Sequence, residues 1–379
     1  MQFEFVTSAR IVFGAGSARE IAPAAKAMGR RALLVTGSSS ERVARLVAGL
    51  DVTPFAVAEE PSVELIRRGV RCAREARCEV VIAIGGGSAL DAGKALAALL
   101  TNPGDPLDYL EVIGRGQPLT VPPAPFIAAP TTAGTGSEVT RNAVLAAPEH
   151  RVKASLRSAS MLPRIAVVDP ELTLGLSRSV TAATGLDALT QLIEPYVSSR
   201  ANAMTDLFCV DGIRRAAAAL ETAWENGSSL EARTAMSWAA LLGGLALANA
   251  GLGAVHGFAA PVGGMFPAPH GAVCAALLPH AMAVNIRALS ERAPRSQALG
   301  RYEEIARLLT GHPRAAAEDG VRWVAQLCAR LEIPPLGSYG VRQDDIPDLV
   351  EKAARTSSMR GNPITLTEEE LGEVVALAI

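Results

Sequence analysis

The sequence has little of what nucleic-acid and membrane proteins rely on. Aromatic residues make up only 4% of the 379 positions, which disfavours base-stacking surfaces. Lys and Arg number 36 against 38 Asp and Glu, a net charge of -2, so no basic field draws a polyanion. Apolar runs such as residues 239–250 are rich in Ala, Gly and Leu but too short to span a bilayer. The opening stretch, MQFEFVTSARIVFGAG, alternates like a strand and carries an acid early. It lacks the basic start and long apolar core of a signal peptide. The five cysteines (Cys72, Cys78, Cys209, Cys274 and Cys328) are scattered, odd in number and form no C-x-x-C pair. That usage fits reduced, mostly buried thiols in a cytoplasmic protein. Neither G-x-G-x-x-G nor a Walker loop is present, and no internal repeat or low-complexity segment is visible.

What is there begins with residues 79–100, EVVIAIGGGSALDAGKALAALL. A continuous apolar run at 80–84 reads as a buried strand. Gly85, Gly86, Gly87 and Ser88 follow, then a helix-compatible segment with Asp91 expected in its first turn. Strand, glycine turn and helix start are what a phosphate cradle needs, because backbone N–H groups and the positive helix end can approach an anion. The same letters also describe a tight strand-to-helix turn. A second loop, Pro130 to Glu138, is small and hydroxyl-rich and follows a strand at 126–129. Such loops sit at the carboxyl edge of a parallel sheet, where α/β folds bind ligands. A flexible turn with local Ser and Thr bonds reads the same way.

Strand and helix alternate along residues 1–177, which predicts an α/β domain with a mostly parallel sheet. Short strands are expected at 3–6, 10–13, 31–36, 52–57 and 165–168, with Ser17 capping a helix over 18–28. Near Leu176 to Arg178 the character changes. Strand-like runs give way to long Ala- and Leu-rich stretches, so residues 178–379 are expected to form an all-helical domain. The length suits two domains of ordinary size.

Histidine is scarce, with five in all: His150, His256, His270, His280 and His312. His256 and His270 are flanked by Gly and Pro, at expected helix ends. Asp187 follows a glycine inside an otherwise apolar helix, a costly place for a carboxylate unless it is paired or holds a metal. One carboxylate and two imidazoles suit Fe(II) as a facial triad or Zn(II) with a water. A capping Asp and satisfied core histidines are the ordinary reading of the same residues.

Taken together, GGGSALDAGK at 85–94, PTTAGTGSEVT at 130–140, VKASLRSASMLPRIAVVDPELT at 152–173, TGLDALTQLIEPYVS at 184–198, HGFAAPVG at 256–263, PHG at 269–271 and LLPHAM at 277–282 resemble the iron-containing (group III) alcohol dehydrogenase family over nearly the full chain. The resemblance implies an α/β nucleotide-binding domain and a helical metal domain with the active site in the cleft between them. It also implies hydride transfer between NAD(P)(H) and a small alcohol, aldehyde or ketone. By the same resemblance Gly86, Gly87 and Ser88 hold the pyrophosphate. Thr131, Thr132, Thr135, Thr140 and Lys153 line the nucleotide site, with Lys153 near the nicotinamide ribose. Asp187, His256 and His270 match three of four metal ligands, for Fe(II) first and Zn(II) second. His256 and His270 are the candidate catalytic residues, and the sequence does not decide between His270 and His280 for the proton. A homodimer is implied as well, with the strand at 3–6 expected at its edge.

The chain departs from the family pattern at three points. Gln191 stands where the fourth ligand is usually His, four residues after Asp187 and so on the same helix face. Ala260 replaces a second family histidine. After the strand at 31–36, Gly37, Ser38 and Ser39 replace the acid that usually binds the ribose 2′-hydroxyl, with Ser40 and Arg42 just beyond. This predicts that NADP(H) is accepted at least as well as NAD(H). Lost ligands also suit a metal-independent reductase of the maleylacetate-reductase type. A dehydroquinate-synthase-like lyase shares the fold, and a nucleotide-binding protein without turnover is a further alternative.

Overall fold

A computed structural model describes residues 2–37, 43–150 and 152–379. The chain divides into two compact units. One comprises Val6–Thr132 and Gly136–Thr173; the other comprises Met1–Phe5, Ala133–Thr135 and Leu174–Ile379.

The first unit is built on a six-stranded sheet. Its strands are β1 (Arg10–Phe13), β2 (Arg31–Thr36), β3 (Asp51–Ala56), β4 (Val80–Gly85), β5 (Phe126–Pro130) and, after a hairpin, β8 (Ile165–Val168). Their order is β1-β8-β5-β4-β2-β3, and every pairing is parallel. Alternate residues of the central strands feed two cores. Leu33, Val35, Val81, Ala83, Phe126 and Ala128 pack toward one face, with α2 (Val63–Glu75) and α3 (Gly87–Thr101). Ala32, Leu34, Val80, Ile82, Ile84 and Ile127 pack toward the other, with α1 (Ile21–Lys26). Both faces are therefore covered, which is why these strands read as continuous apolar runs rather than alternating ones.

Four local expectations change. Residues 2–7 form no strand; Phe5 instead packs on Phe208, ring centroids 5.7 Å apart, so an aromatic contact replaces a ladder. Ser17 does not cap a helix. It opens a 3-10 turn whose N-cap is Gly16, and the Asp169 carboxylate accepts from Gly16 and Ala18 N–H at 3.1 and 2.9 Å. Residues β6 (Asn142–Ala147) and β7 (Val152–Arg157) form an antiparallel hairpin that the sequence reading lacked. Asp91 sits beyond the first turn of α3 and is bound within its own unit, as described below.

The second unit is helical. It comprises α4 (Arg178–Val197), α5 (Ala203–Glu225), α6 (Leu230–Ala250), α7 (Ala254–Met265), α8 (His270–Arg292), α9 (Gln297–Thr310), α10 (Ala317–Arg330), α11 (Ile346–Ala354) and α12 (Glu368–Ala376). Ser177 caps α4, accepting from Val180 N–H at 3.2 Å. Among the described residues one helix, α8, is long and apolar enough to cross a membrane, and 78% of that stretch is buried inside the unit. α4 is buried along most of its length. Its polar residues Asp187, Gln191 and Glu194 are therefore enclosed by protein, and α7 and the start of α8 supply their surroundings.

Candidate metal centre and nucleotide cradle

In the α/β unit, β4 ends at Gly85, Gly86 is extended (φ -73°, ψ -175°), and α3 starts at Gly87 with no side-chain cap. The first-turn N–H groups of α3 are thus left to a ligand or water, at the carboxyl edge of the sheet. Gly85 is required by close approach: a Cβ there would lie 2.5 Å from Ala89 Cβ and 3.2 Å from Gly37 N. Thr131 N–H donates to Gly85 O at 2.9 Å, and Thr132 Cγ2 lies 3.4 Å from where a Gly86 Cβ would stand. The structure therefore brings Gly37, Gly86, Gly87, Ser88, Thr131 and Thr132 to one edge. Ser38 and Ser39 lie outside the described residues, and Thr135 falls in the other unit.

Two further nucleotide-site candidates have their polar atoms engaged within the protein. Thr140 Oγ1 accepts from the buried Lys94 ammonium at 2.8 Å. Lys94 also lies 3.1 Å from Asp91 Oδ1, and Asp91 accepts from Ser137 Oγ at 2.5 Å and Val144 N–H at 2.9 Å. Burial pushes Lys94 below the usual ammonium range. Glu138, enclosed beside it, is pushed up to about 7 by the same loss of water. Lys153 pairs with Glu60, with only 6% of its own side chain exposed.

The helical unit assembles its site from three helices. Asp187 is 1% exposed on α4. Its Oδ1 lies 3.3 Å from His256 Nε2 and 3.7 Å from His270 Nε2, yet among the described residues neither Asp187 Oδ1 nor Gln191 Oε1 has a hydrogen-bond partner. Two orphaned oxygens in an apolar helix interior are what a cation would satisfy. His256 lies in the first turn of α7. Its Nδ1 meets Glu194 Oε2 at 2.6 Å, and Glu194 Oε1 accepts Val255 N–H at 2.7 Å. Glu194 thus fixes the His256 ring and leaves Nε2 facing Asp187, the carboxylate–histidine support common behind metal ligands. Gly253 makes room for this: a Cβ there would be 2.9 Å from Glu194 Oε1. His270 is the first residue of α8. At Gly271 a Cβ would lie 2.6 Å from the Ala183 carbonyl oxygen, so this glycine lets α8 start hard against α4.

One more donor completes the cluster. Asp187, His256, His270 and Cys274 each offer a ligand atom, all within 4.8 Å of one another. Loss of water drives Asp187 toward the neutral acid, but His270 and His256 outweigh it and hold it below the usual carboxylate range. Loss of water also lowers both imidazoles. Cys274 with Glu194 and Asp187 raises His256 well above its usual value, and Cys274 with Asp187 takes His270 to about 9. Carboxylate, two imidazoles, thiol and amide oxygen fit a divalent transition metal. Glu194 and Cys274 escaped the sequence reading. Both carried a signal in their spacing: Glu194 is seven residues after Asp187 and Cys274 four after His270, each on the same helix face.

A parallel α/β unit with an uncapped glycine-rich helix start, and a helical unit enclosing a carboxylate–imidazole cluster, define a metal-dependent dehydrogenase class. The chain belongs to the iron-containing alcohol dehydrogenase family: residues 8–170 match the model "Iron-containing alcohol dehydrogenase" and residues 181–379 match "Fe-containing alcohol dehydrogenase family, C-terminal". It is 36% identical over 363 residues to 1,3-propanediol dehydrogenase of Citrobacter freundii, covering 91% of this chain and 90% of that one. It is 34% identical over 380 residues to NAD-dependent methanol dehydrogenase of Bacillus methanolicus, covering 97% of each. A crystal structure of 1,3-propanediol oxidoreductase superposes over 100% of both chains with a TM-score of 0.92 at 33% identity.

Proposed function

We propose that this oxidoreductase moves hydride between NAD(H) or NADP(H) and a small primary alcohol or its aldehyde, with a divalent metal held by Asp187, His256 and His270. The observation that carries it is the unpartnered, buried Asp187 Oδ1 with two imidazole nitrogens 3.3 and 3.7 Å away. A divalent ion bound there supplies Lewis-acid stabilisation of a substrate oxygen. The chain's own residues do the rest. Glu194 locks the His256 ring, and His256, 6% exposed, is a holding residue. His270, with 37% of its side chain exposed, is the most solvent-exposed of the three holding residues. Gly86, Gly87 and Ser88 offer first-turn N–H groups to a pyrophosphate, and Thr131 and Thr132 flank them. Small substrates are supported by the propanediol and methanol dehydrogenases that this chain resembles.

The same reading places the enzyme in the cytoplasm as a homodimer. All five cysteines are free, as a reducing compartment requires, and Phe3, Met204 and Leu207 are exposed apolar residues available to a second copy. The test is NADH and NADPH oxidation with a panel of short aldehydes and ketones, before and after chelation. Turnover that needs added Fe(II) or Zn(II) is expected. Full turnover after chelation would establish a metal-free reductase instead, and cofactor binding without turnover on any carbonyl would overturn the enzyme reading.

A further inference from the structure

Cys274 differs from the chain's other buried thiols. Cys209 is buried in helix α5, and loss of water pushes its thiol far above the ordinary range, as befits an inert core residue. Cys274 is equally buried, but its Sγ faces His270 Nε2 at 3.7 Å and His256 Nε2 at 3.8 Å. One thiol proton cannot serve both nitrogens. Asp187 Oδ1 has no hydrogen-bond partner among the described residues, and four donor atoms converge on one point.

The separations have the size of a coordination shell. Bond lengths of about 2.0–2.1 Å to N and O and about 2.3 Å to S make tetrahedral edges of about 3.3–3.4 Å between N or O atoms and about 3.5–3.6 Å between S and N. The observed edges are 3.3 and 3.7 Å from Asp187 to the two imidazoles, and 3.8 and 3.7 Å from Cys274 to them. These four edges exceed the ideal lengths by no more than a few tenths of an ångström, and all six lie within 4.8 Å. Gln191, by contrast, offers a neutral amide oxygen, a weaker donor than a thiolate for a transition metal.

We infer that Cys274 is itself a metal ligand, binding as the thiolate and completing an Asp187–His256–His270–Cys274 set. The thiol proton is released to solvent when the ion binds. A sulfur ligand favours Zn(II), Co(II) or Fe(II) over Mg(II) or Mn(II). The inference rests on the metal reading above and sharpens it to a particular donor set.

Cobalt tests it directly. Full-length protein is stripped with chelator, loaded with Co(II), and read by absorption and by metal content per chain. One cobalt per chain with a thiolate-to-cobalt charge-transfer band in the near ultraviolet is expected. Cys274→Ser should lose that band and bind cobalt at least tenfold more weakly, while Gln191→Ala should keep the band. X-ray absorption of the zinc-loaded wild type should show a sulfur neighbour at about 2.3 Å, a result that needs no variant to fold. Cobalt bound without the band, or zinc without sulfur, would overturn the role of Cys274 and leave the metal reading standing. No cobalt uptake by the wild type would overturn both.

Discussion

The two units build their sites from different materials. The α/β unit makes its cradle from backbone: Gly85 has no room for a side chain, Gly86 is extended, and α3 starts without a cap. The helical unit makes its centre from side chains on α4, α7 and α8, aimed into an apolar interior. A backbone site depends on a contiguous run of residues and tolerates change elsewhere. A side-chain site depends on every donor and on the glycines that let helices approach, here Gly253 and Gly271. Losses in the helical unit should therefore be local and chemical, while losses in the α/β unit should be felt as stability or as cofactor preference.

The largest effect is expected from His270→Ala. Metal binding at a four-ligand site of about 10–16 kcal/mol assigns each ligand roughly 2.5–4 kcal/mol, on the order of 10²–10³ in affinity. The variant should lose bound metal on dialysis, and activity with it, while its far-ultraviolet circular dichroism stays unchanged. Metal content by elemental analysis decides. Retention of a full complement would remove His270 from the site.

A stability effect of similar size belongs to the α/β unit. Glu138 is wholly enclosed, and burial raises its carboxyl from 4.5 to about 7. Below pH 4.5 both folded and unfolded chains carry the proton, and that stability is fully present. As pH rises toward 7 the unfolded chain releases it first, so folding stability falls. The drop is on the order of 3 kcal/mol. Denaturant unfolding at pH 5 and pH 8 measures it, and Glu138→Gln should flatten the slope. An equal slope in the variant would assign the pH dependence to other groups.

Glu194→Gln should do less. It keeps a hydrogen bond to His256 but removes the charge that supports the ring. Outer-shell changes of this kind cost about 10–100-fold in metal affinity. Competition with a chromophoric chelator reads the constant, and an unchanged affinity would make Glu194 a packing residue only.

What the sequence made legible follows the same division. All six sheet strands, the change to helices near Arg178 and the glycine turn were readable, because each is written in adjacent letters. The carboxylate and two histidines were readable by their rarity in apolar surroundings. Glu194 and Cys274 were harder: each becomes meaningful only once α4, α7 and α8 are known to meet, and helical spacing marks a face without saying what it faces. The hairpin of β6 and β7 was missed because its short, half-buried strands carry a weak alternating pattern. The N-terminal strand was over-read because FEFV has the alternation of a strand, while the Phe5–Phe208 contact holds it elsewhere.

The smallest expected effect tests the backbone-made site where no carboxylate guards it. Gly37 follows β2 directly, and its N lies 3.2 Å from where a Gly85 Cβ would stand, so it borders the cradle. A Cβ at Gly37 itself would meet nothing within 4 Å, so Gly37→Asp adds a charge without a clash. A carboxylate there accepts from a ribose 2′-hydroxyl and repels a 2′-phosphate. The wild type should therefore use NADP(H) at least as well as NAD(H), and Gly37→Asp should shift the ratio of the two kcat/KM values toward NAD by about tenfold, or about 1.4 kcal/mol. Melting temperature should hardly move, since the substitution fills open space. Steady-state kinetics with both cofactors, in wild type and variant, decides. A strong wild-type preference for NAD would mean that the turn after β2 does not receive a phosphate, and an unshifted ratio in the variant would place the 2′-position of the cofactor away from Gly37.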